Sequence, residues 1–333
     1  MKRAVWVVTL VSLFGIGCKQ SSPPPAKTKT AESGSAVDVP VAKQGSGGPA
    51  VAPGSGSAAA DPWTKTTEQA DPLPHPLFWA VAKDGKTTYM LGTMHLGVDA
   101  EKRLPKVVWD KLDAAPVFAM ETDLSDPSVM NMGKRKSGTL HDELGPVYWK
   151  KLEEIVTPPV AQSIDHMKPM IAATLLSMRG LPTTPPMDGV LLGRALNQKK
   201  AIVYLEPASK QAAILEKWMD LRTLKMMLDD PKKGEQQTKD MLDAYIAGDE
   251  AAIEKLADAQ KEDALKHGFT AKEYDESMED MLYKRNASWI DAFEKLHQQN
   301  GGFVAVGALH LVGKRSVLDL LKSRGYTVTR VTP

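Results

Sequence analysis

The sequence predicts a mixed α/β fold: one central mixed sheet split by a large helical insertion, with strands at both ends of the domain. Three observations carry this. Short apolar or β-prone runs stand at 77–81, 87–91 and 117–120, then at 201–205, and again at 302–306 and 326–331. Helical spacing of apolar residues fills most of the chain between 147 and 299. The closing strand, helix and strand over 302–331 have the length of a βαβ unit, so part of the sheet is expected to be parallel.

The elements follow in chain order. Lys2 and Arg3 precede an apolar run over residues 4–16 that is too short to cross a bilayer as a helix and reads as a signal-peptide core. Cys18, the single cysteine, follows in Gly15-Ile16-Gly17-Cys18, which resembles the lipobox of bacterial lipoproteins. Residues 1–18 are therefore expected to be a lipoprotein signal peptide ending in a lipidated Cys18; the plainer alternative is a free thiol in an ordinary secretion signal. Of the 44 residues at 19–62, 29 are Ala, Ser, Pro or Gly, and none is aromatic, Leu, Ile or Met. Such a segment buries too little apolar surface to offset its ordering entropy, so 19–72 reads as a disordered tether. A GxGxxA match at 45–50 lies inside it, without a preceding strand or following helix, and carries no dinucleotide reading.

The domain is expected over 73–333. It opens with two strands around Asp84-Gly85, a hairpin signal. Helical patterns follow at 99–114, 147–156, 161–179, 188–198, 210–228, 239–247, 250–266 and 271–299.

Composition excludes several functions. The 42 Lys and Arg nearly balance the 41 Asp and Glu, which gives no basic excess for nucleic acid. One thiol cannot build a disulfide, a CxxC pair or an all-cysteine zinc site. No HExxH, GxSxG elbow or P-loop is present.

The chemistry lies in two matching frames. Leu91-Gly92-Thr93-Met94-His95-Leu96 and Val306-Gly307-Ala308-Leu309-His310-Leu311 each place a glycine after a strand-like run and a histidine three residues later. Gly92 and Gly307 allow tight turning or close approach beside a site. Glu121 and Glu206 also follow strand-like runs, and ligands bind beyond the carboxyl ends of strands in open α/β sheets. Two neutral imidazoles and a carboxylate suit a divalent transition metal with a position left for water, which points to hydrolysis. Arg285 falls within the apolar stripe formed by Met278, Met281, Trp289, Phe293 and Leu296. It is expected to pair with Glu121 or Glu206 or to bind substrate, unless it snorkels to the surface.

These residues carry a resemblance. The run 78–95, Glu121, the segment 188–206, Arg285-Asn286-Ala287-Ser288-Trp289 and the closing 304–313 with Gly325-Tyr326 resemble the TraB/GumN family. That family is similar to the Tiki metalloproteases, which are characterised by two GxxH motifs and a glutamate. The resemblance implies a metal-dependent hydrolase with His95 and His310 as metal ligands and Glu121 as a third ligand or general base. Asp188 and Asn286 fall in its matched segments as supporting residues. Manganese or cobalt is the implied metal, and zinc suits the same donors. The expectation is thus a membrane-tethered peptidase or amide hydrolase of the bacterial cell envelope, anchored in the membrane by its N-terminal lipid. The alternative is a non-catalytic envelope protein that binds polysaccharide or peptide.

Overall fold

The computed structural model describes residues 71–123, 125–126 and 131–333. Cys18, the leader and most of the tether lie outside them.

Six strands form one sheet: β1 (Phe78–Lys83), β2 (Lys86–Thr93), β3 (Val117–Met120), β4 (Ala201–Tyr204), β5 (Phe303–Gly307) and β6 (Thr327–Arg330), in the order β4-β3-β5-β2-β1-β6. β1 and β2 form the expected hairpin. Asp84 and Gly85 both adopt positive φ, 51° and 73°, the conformation that lets a two-residue turn follow the strand twist. β1 runs antiparallel to both β2 and β6, whereas β2, β5, β3 and β4 are mutually parallel. All five residues of β5 are buried, as suits a central parallel strand. The parallel strands therefore turn their carboxyl ends to one edge of the sheet.

The main core packs Phe78, Leu91, Phe118 and Phe303 of the sheet with Met187 and Leu191 of the helix Met187–Asn197 and with Trp289, Phe293 and Leu296 of the helix Lys284–Gln298. A second core, which includes Leu140, Leu152, Leu176, Leu224 and Met227, belongs to the helical insertion. Among the described residues no helix is long and apolar enough to cross a membrane.

Several helices differ from the expected ranges. The pattern over 99–114 is two helices, Ala100–Arg103 and Lys106–Ala114, divided at Pro105. That over 161–179 is Pro158–Ser163 and Pro169–Ser177, because Pro169 holds Lys168 in an extended conformation. The pattern over 210–228 breaks where Asp220 caps a new helix, its side chain accepting from the Thr223 amide. Two helices start earlier than expected, at Leu140 and Pro231; the first passes a kink at Gly145, with φ 72°, before Pro146. Near the end, Ala271–Met278 continues through a π-helical turn, Glu279–Tyr283, into Lys284–Gln298. Such turns recur at functional sites, and Arg285 lies just beyond this one.

Candidate metal centre

The parallel strands bring four side chains together. His95 lies two residues past β2, Glu121 directly after β3, Glu206 two residues past β4 and His310 three residues past β5. The pairing of β3 with β4 continues beyond the strands, since the Glu206 amide donates to the Glu121 carbonyl at 2.9 Å.

Each imidazole is held by its Nδ1. His95 Nδ1 makes a short hydrogen bond to Asp188 Oδ2, while Asp188 Oδ1 accepts from the Thr93 hydroxyl at 2.9 Å. His310 Nδ1 lies 2.6 Å from Asn286 Oδ1, and Asn286 Nδ2 donates to the Arg315 carbonyl at 2.9 Å. Both partners accept, so both rings carry their proton on Nδ1 when neutral and turn the Nε2 lone pair towards the acid. A carboxylate or carbonyl behind an imidazole is the usual support of a metal-ligating histidine. The Trp289 ring packs on His310 with centroids 4.5 Å apart.

Glu121 is 5% exposed and heavily bonded. Its Oε1 accepts the Gly307 amide at 2.8 Å. Its Oε2 accepts Gln211 Nε2 at 2.9 Å and Arg285 Nη2 at 2.6 Å. Counting two lone pairs per oxygen, one remains, on Oε1. That oxygen lies 3.7 Å from His310 Nε2, two acceptors facing one another. His95 Nε2 is buried and has no hydrogen-bond partner.

Gly307 shows the space these atoms share. Its φ of −52° needs no glycine, but a Cβ there would meet Glu121 Oε1 at 3.2 Å, His95 Nε2 at 3.4 Å and His310 Cδ2 at 3.6 Å. The missing methyl thus leaves a cradle bounded by an acid and two rings. Gly92 has a different reason: a Cβ would press on Ala308 Cα at 3.1 Å and Leu77 Cβ at 3.2 Å. It serves close packing.

Arg285, only 6% exposed, does not snorkel. Its Nε donates to Glu206 Oε1 at 2.7 Å, so the guanidinium bridges both acids. Its Nη1 donates to the Met281 carbonyl at 2.9 Å and reaches His310 Nε2 at 3.2 Å. Burial pushes the Glu121 carboxyl up, but Arg285 and the two imidazoles pull it down to about 2. Burial drives His310 down to about 3, so its ring is neutral. For His95 burial acts downward too, yet the Asp188 and Glu121 carboxylates outweigh it and the net shift is upward. Burial also opposes the charge of Arg285, but Glu121 and Glu206 hold its pKa above the ordinary value.

The donor types are those a divalent ion takes: two imidazole Nε2 atoms and one carboxylate oxygen around a cradle. In the arrangement seen, however, no group of three His, Cys, Asp or Glu side chains among the described residues is placed to hold an ion. Arg285 Nη1, resting on His310 Nε2, is the neighbour that a bound ion would displace from that lone pair. Asp188 and Asn286 stand directly behind the two rings. The sequence reading missed Thr93, Gln211 and Tyr245, whose hydroxyl donates to the Gly92 carbonyl at 2.8 Å. His297 plays no part here. It sits buried between the Thr88 hydroxyl, 2.9 Å away, and the Lys83 carbonyl, 3.1 Å away.

A family model described as the TraB/PrgY/gumN family matches residues 77–330. No curated protein and no solved structure matches the chain.

Proposed function

We propose, from the premise that this chain belongs to the TraB/PrgY/gumN family, that it is a metal-dependent hydrolase acting on peptide or amide bonds. The observation that carries the reading is the pair of imidazoles, each tied at Nδ1, whose rings border one glycine cradle with Glu121 Oε1. His95 and His310 would hold the ion. Manganese, cobalt or zinc bound there would lower the pKa of a water and polarise a carbonyl. Glu121 Oε1 would either complete the ligand set or take the proton of the attacking water, one role at a time, because a single lone pair serves both. Asp188 and Asn286 fix the ring orientations. Arg285 keeps Glu121 charged in a buried site and bridges it to Glu206. The His95 side chain is 14% exposed against 4% for His310, so a substrate would approach from the His95 side.

Placement in a bacterial cell envelope, with Cys18 lipidated and the tether holding the domain off the membrane, completes the proposal. It rests on the leader sequence.

The test is hydrolysis of dye-labelled casein by the manganese-loaded protein, with and without chelator, alongside metal titration. Chelator-sensitive cleavage supports the reading. Glu121→Gln then separates the roles: weakened metal binding marks a ligand, whereas retained metal with lost turnover marks a general base. A second reading, a non-catalytic envelope protein that binds peptide or polysaccharide, draws on the contact of Arg285 with His310 Nε2, which satisfies that ring without an ion. Failure to bind any divalent metal would favour it.

A further inference from the structure

A cavity of about 280 Å³ lies behind His310, apart from the histidine–glutamate centre. Three elements enclose it: the helix Glu250–Lys266, the π-helical turn with its flanking helices, and the segment that follows β5. Asn286, whose Oδ1 holds His310 Nδ1, stands in its wall at 1% exposure, so the cavity faces the rear of that ring and not the Gly307 cradle. Leu282 and Val312, both buried, join Leu309 to give it an apolar floor.

The rim is acidic. Glu254 and Asp258 stand one helical turn apart, exposed, and both border the cavity. Other acids of their helix have cations: Glu250 pairs with Arg330, Glu262 with Lys266 and Asp263 with Lys233. Glu254 and Asp258 form no ion pair with any described residue, and like charges four apart on a helix repel. Lys314, also in the wall, pairs with neither. Gly313 lets one of the acids close in: at φ 79°, a Cβ there would stand 2.7 Å from Glu254 Oε1, so this carboxylate rests on the segment that carries His310. Burial raises the Tyr283 phenol, Arg315 opposes the rise, and Asp258, Glu279 and Glu254 add to it, which sets both rim acids near one hydroxyl of the wall.

An apolar floor under two uncompensated carboxylates suits an amphipathic cation. A primary ammonium gives the acids charge-assisted hydrogen bonds while an alkyl stem covers Leu282, Leu309 and Val312. A bare metal ion would leave that floor unused. Small-molecule sites run to about 300–1,000 Å³, so this one admits an occupant the size of a side chain rather than a large cofactor. We propose that the cavity is a second ligand site, separate from the histidine–glutamate centre, for a primary ammonium on a short alkyl stem, supplied by a lysine side chain of a polypeptide or by a free diamine. A ligand there lies against Asn286, one side chain away from His310.

The test titrates the full-length protein, stripped of metal by chelator and dialysed, with n-pentylamine and 1-pentanol at neutral pH in a calorimeter. The two share a stem and differ in the charged head. The amine should bind saturably and about tenfold more tightly than the alcohol. Asp258→Asn and Glu254→Gln, both at exposed positions that the fold does not need, should each lower amine affinity about tenfold. Tighter binding of Nα-acetyl-lysine methylamide than of 1,5-diaminopentane assigns the site to a polypeptide lysine, and the reverse order assigns it to a free diamine. Amine that does not bind, amine and alcohol of equal affinity, or amine affinity unchanged in both variants overturns the site. The metal-free protein is used throughout, so each of these failures leaves the hydrolase reading standing.

Discussion

Replacing Gly307 with alanine isolates the cradle from the rest of the fold. The backbone there, φ −52° and ψ 138°, is open to any residue, so the substitution carries no conformational penalty. It should even add about 0.4–1 kcal/mol by restricting the unfolded chain. The methyl would instead stand 3.2 Å from Glu121 Oε1 and 3.4 Å from His95 Nε2, closer than relaxed contacts, so both must give way by a few tenths of an ångström. Disturbing the support of metal ligands typically costs 10- to 100-fold in affinity. We expect Mn²⁺ binding by Gly307→Ala to weaken at least about tenfold, ~1.4 kcal/mol, measured by isothermal titration. Its thermal midpoint in chelator should stay at or slightly above that of the wild type. Gly92→Ala is the contrast: its Cβ would strike backbone at Ala308, so it should lower stability by about 1–3 kcal/mol. A Gly307→Ala protein that binds Mn²⁺ as tightly as the wild type would refute the cradle.

Three further outcomes can be measured, two from contacts at the site and one from the leader sequence. Asp188→Asn removes the charge behind His95 and lets an amide N–H face its Nδ1; Mn²⁺ affinity should fall about 10- to 100-fold with little change in folding, read by titration and circular dichroism. Arg285→Met leaves Glu121 and Glu206 buried without their cation, which should cost about 3–5 kcal/mol in urea unfolding, with part recovered on adding Mn²⁺. Cys18→Ser should release the full-length protein from the membrane fraction; equal retention after a high-salt wash would overturn the lipid anchor.

The strands were legible because their signals are local. Runs such as Phe118-Ala119-Met120 and Val304-Ala305-Val306 are apolar and short, and Asp84-Gly85 marks its own hairpin. Helix boundaries were less legible, since apolar spacing continues across Pro169 and Asp220 where the backbone does not. At the site, the two histidines and two glutamates could be read because each follows a strand, and parallel strands deliver such residues to one edge. Gln211 could not. A glutamine in the first turn of a helix reads as solvated, and its partner Glu121 lies 90 residues away in the chain. The two glycines of the repeated motif looked equivalent in sequence; only their surroundings separate a packing glycine from one that borders the centre.

Anomalous diffraction from crystals of the protein grown with Mn²⁺ or Zn²⁺ tests the central claim most directly. One ion should appear in the cradle beside Gly307, bonded to His95 Nε2 and His310 Nε2 at about 2.0–2.1 Å if zinc, with Arg285 Nη1 withdrawn from His310. A map with no ion between the two rings at saturating metal, and Arg285 still bonded to His310 Nε2, would contradict it.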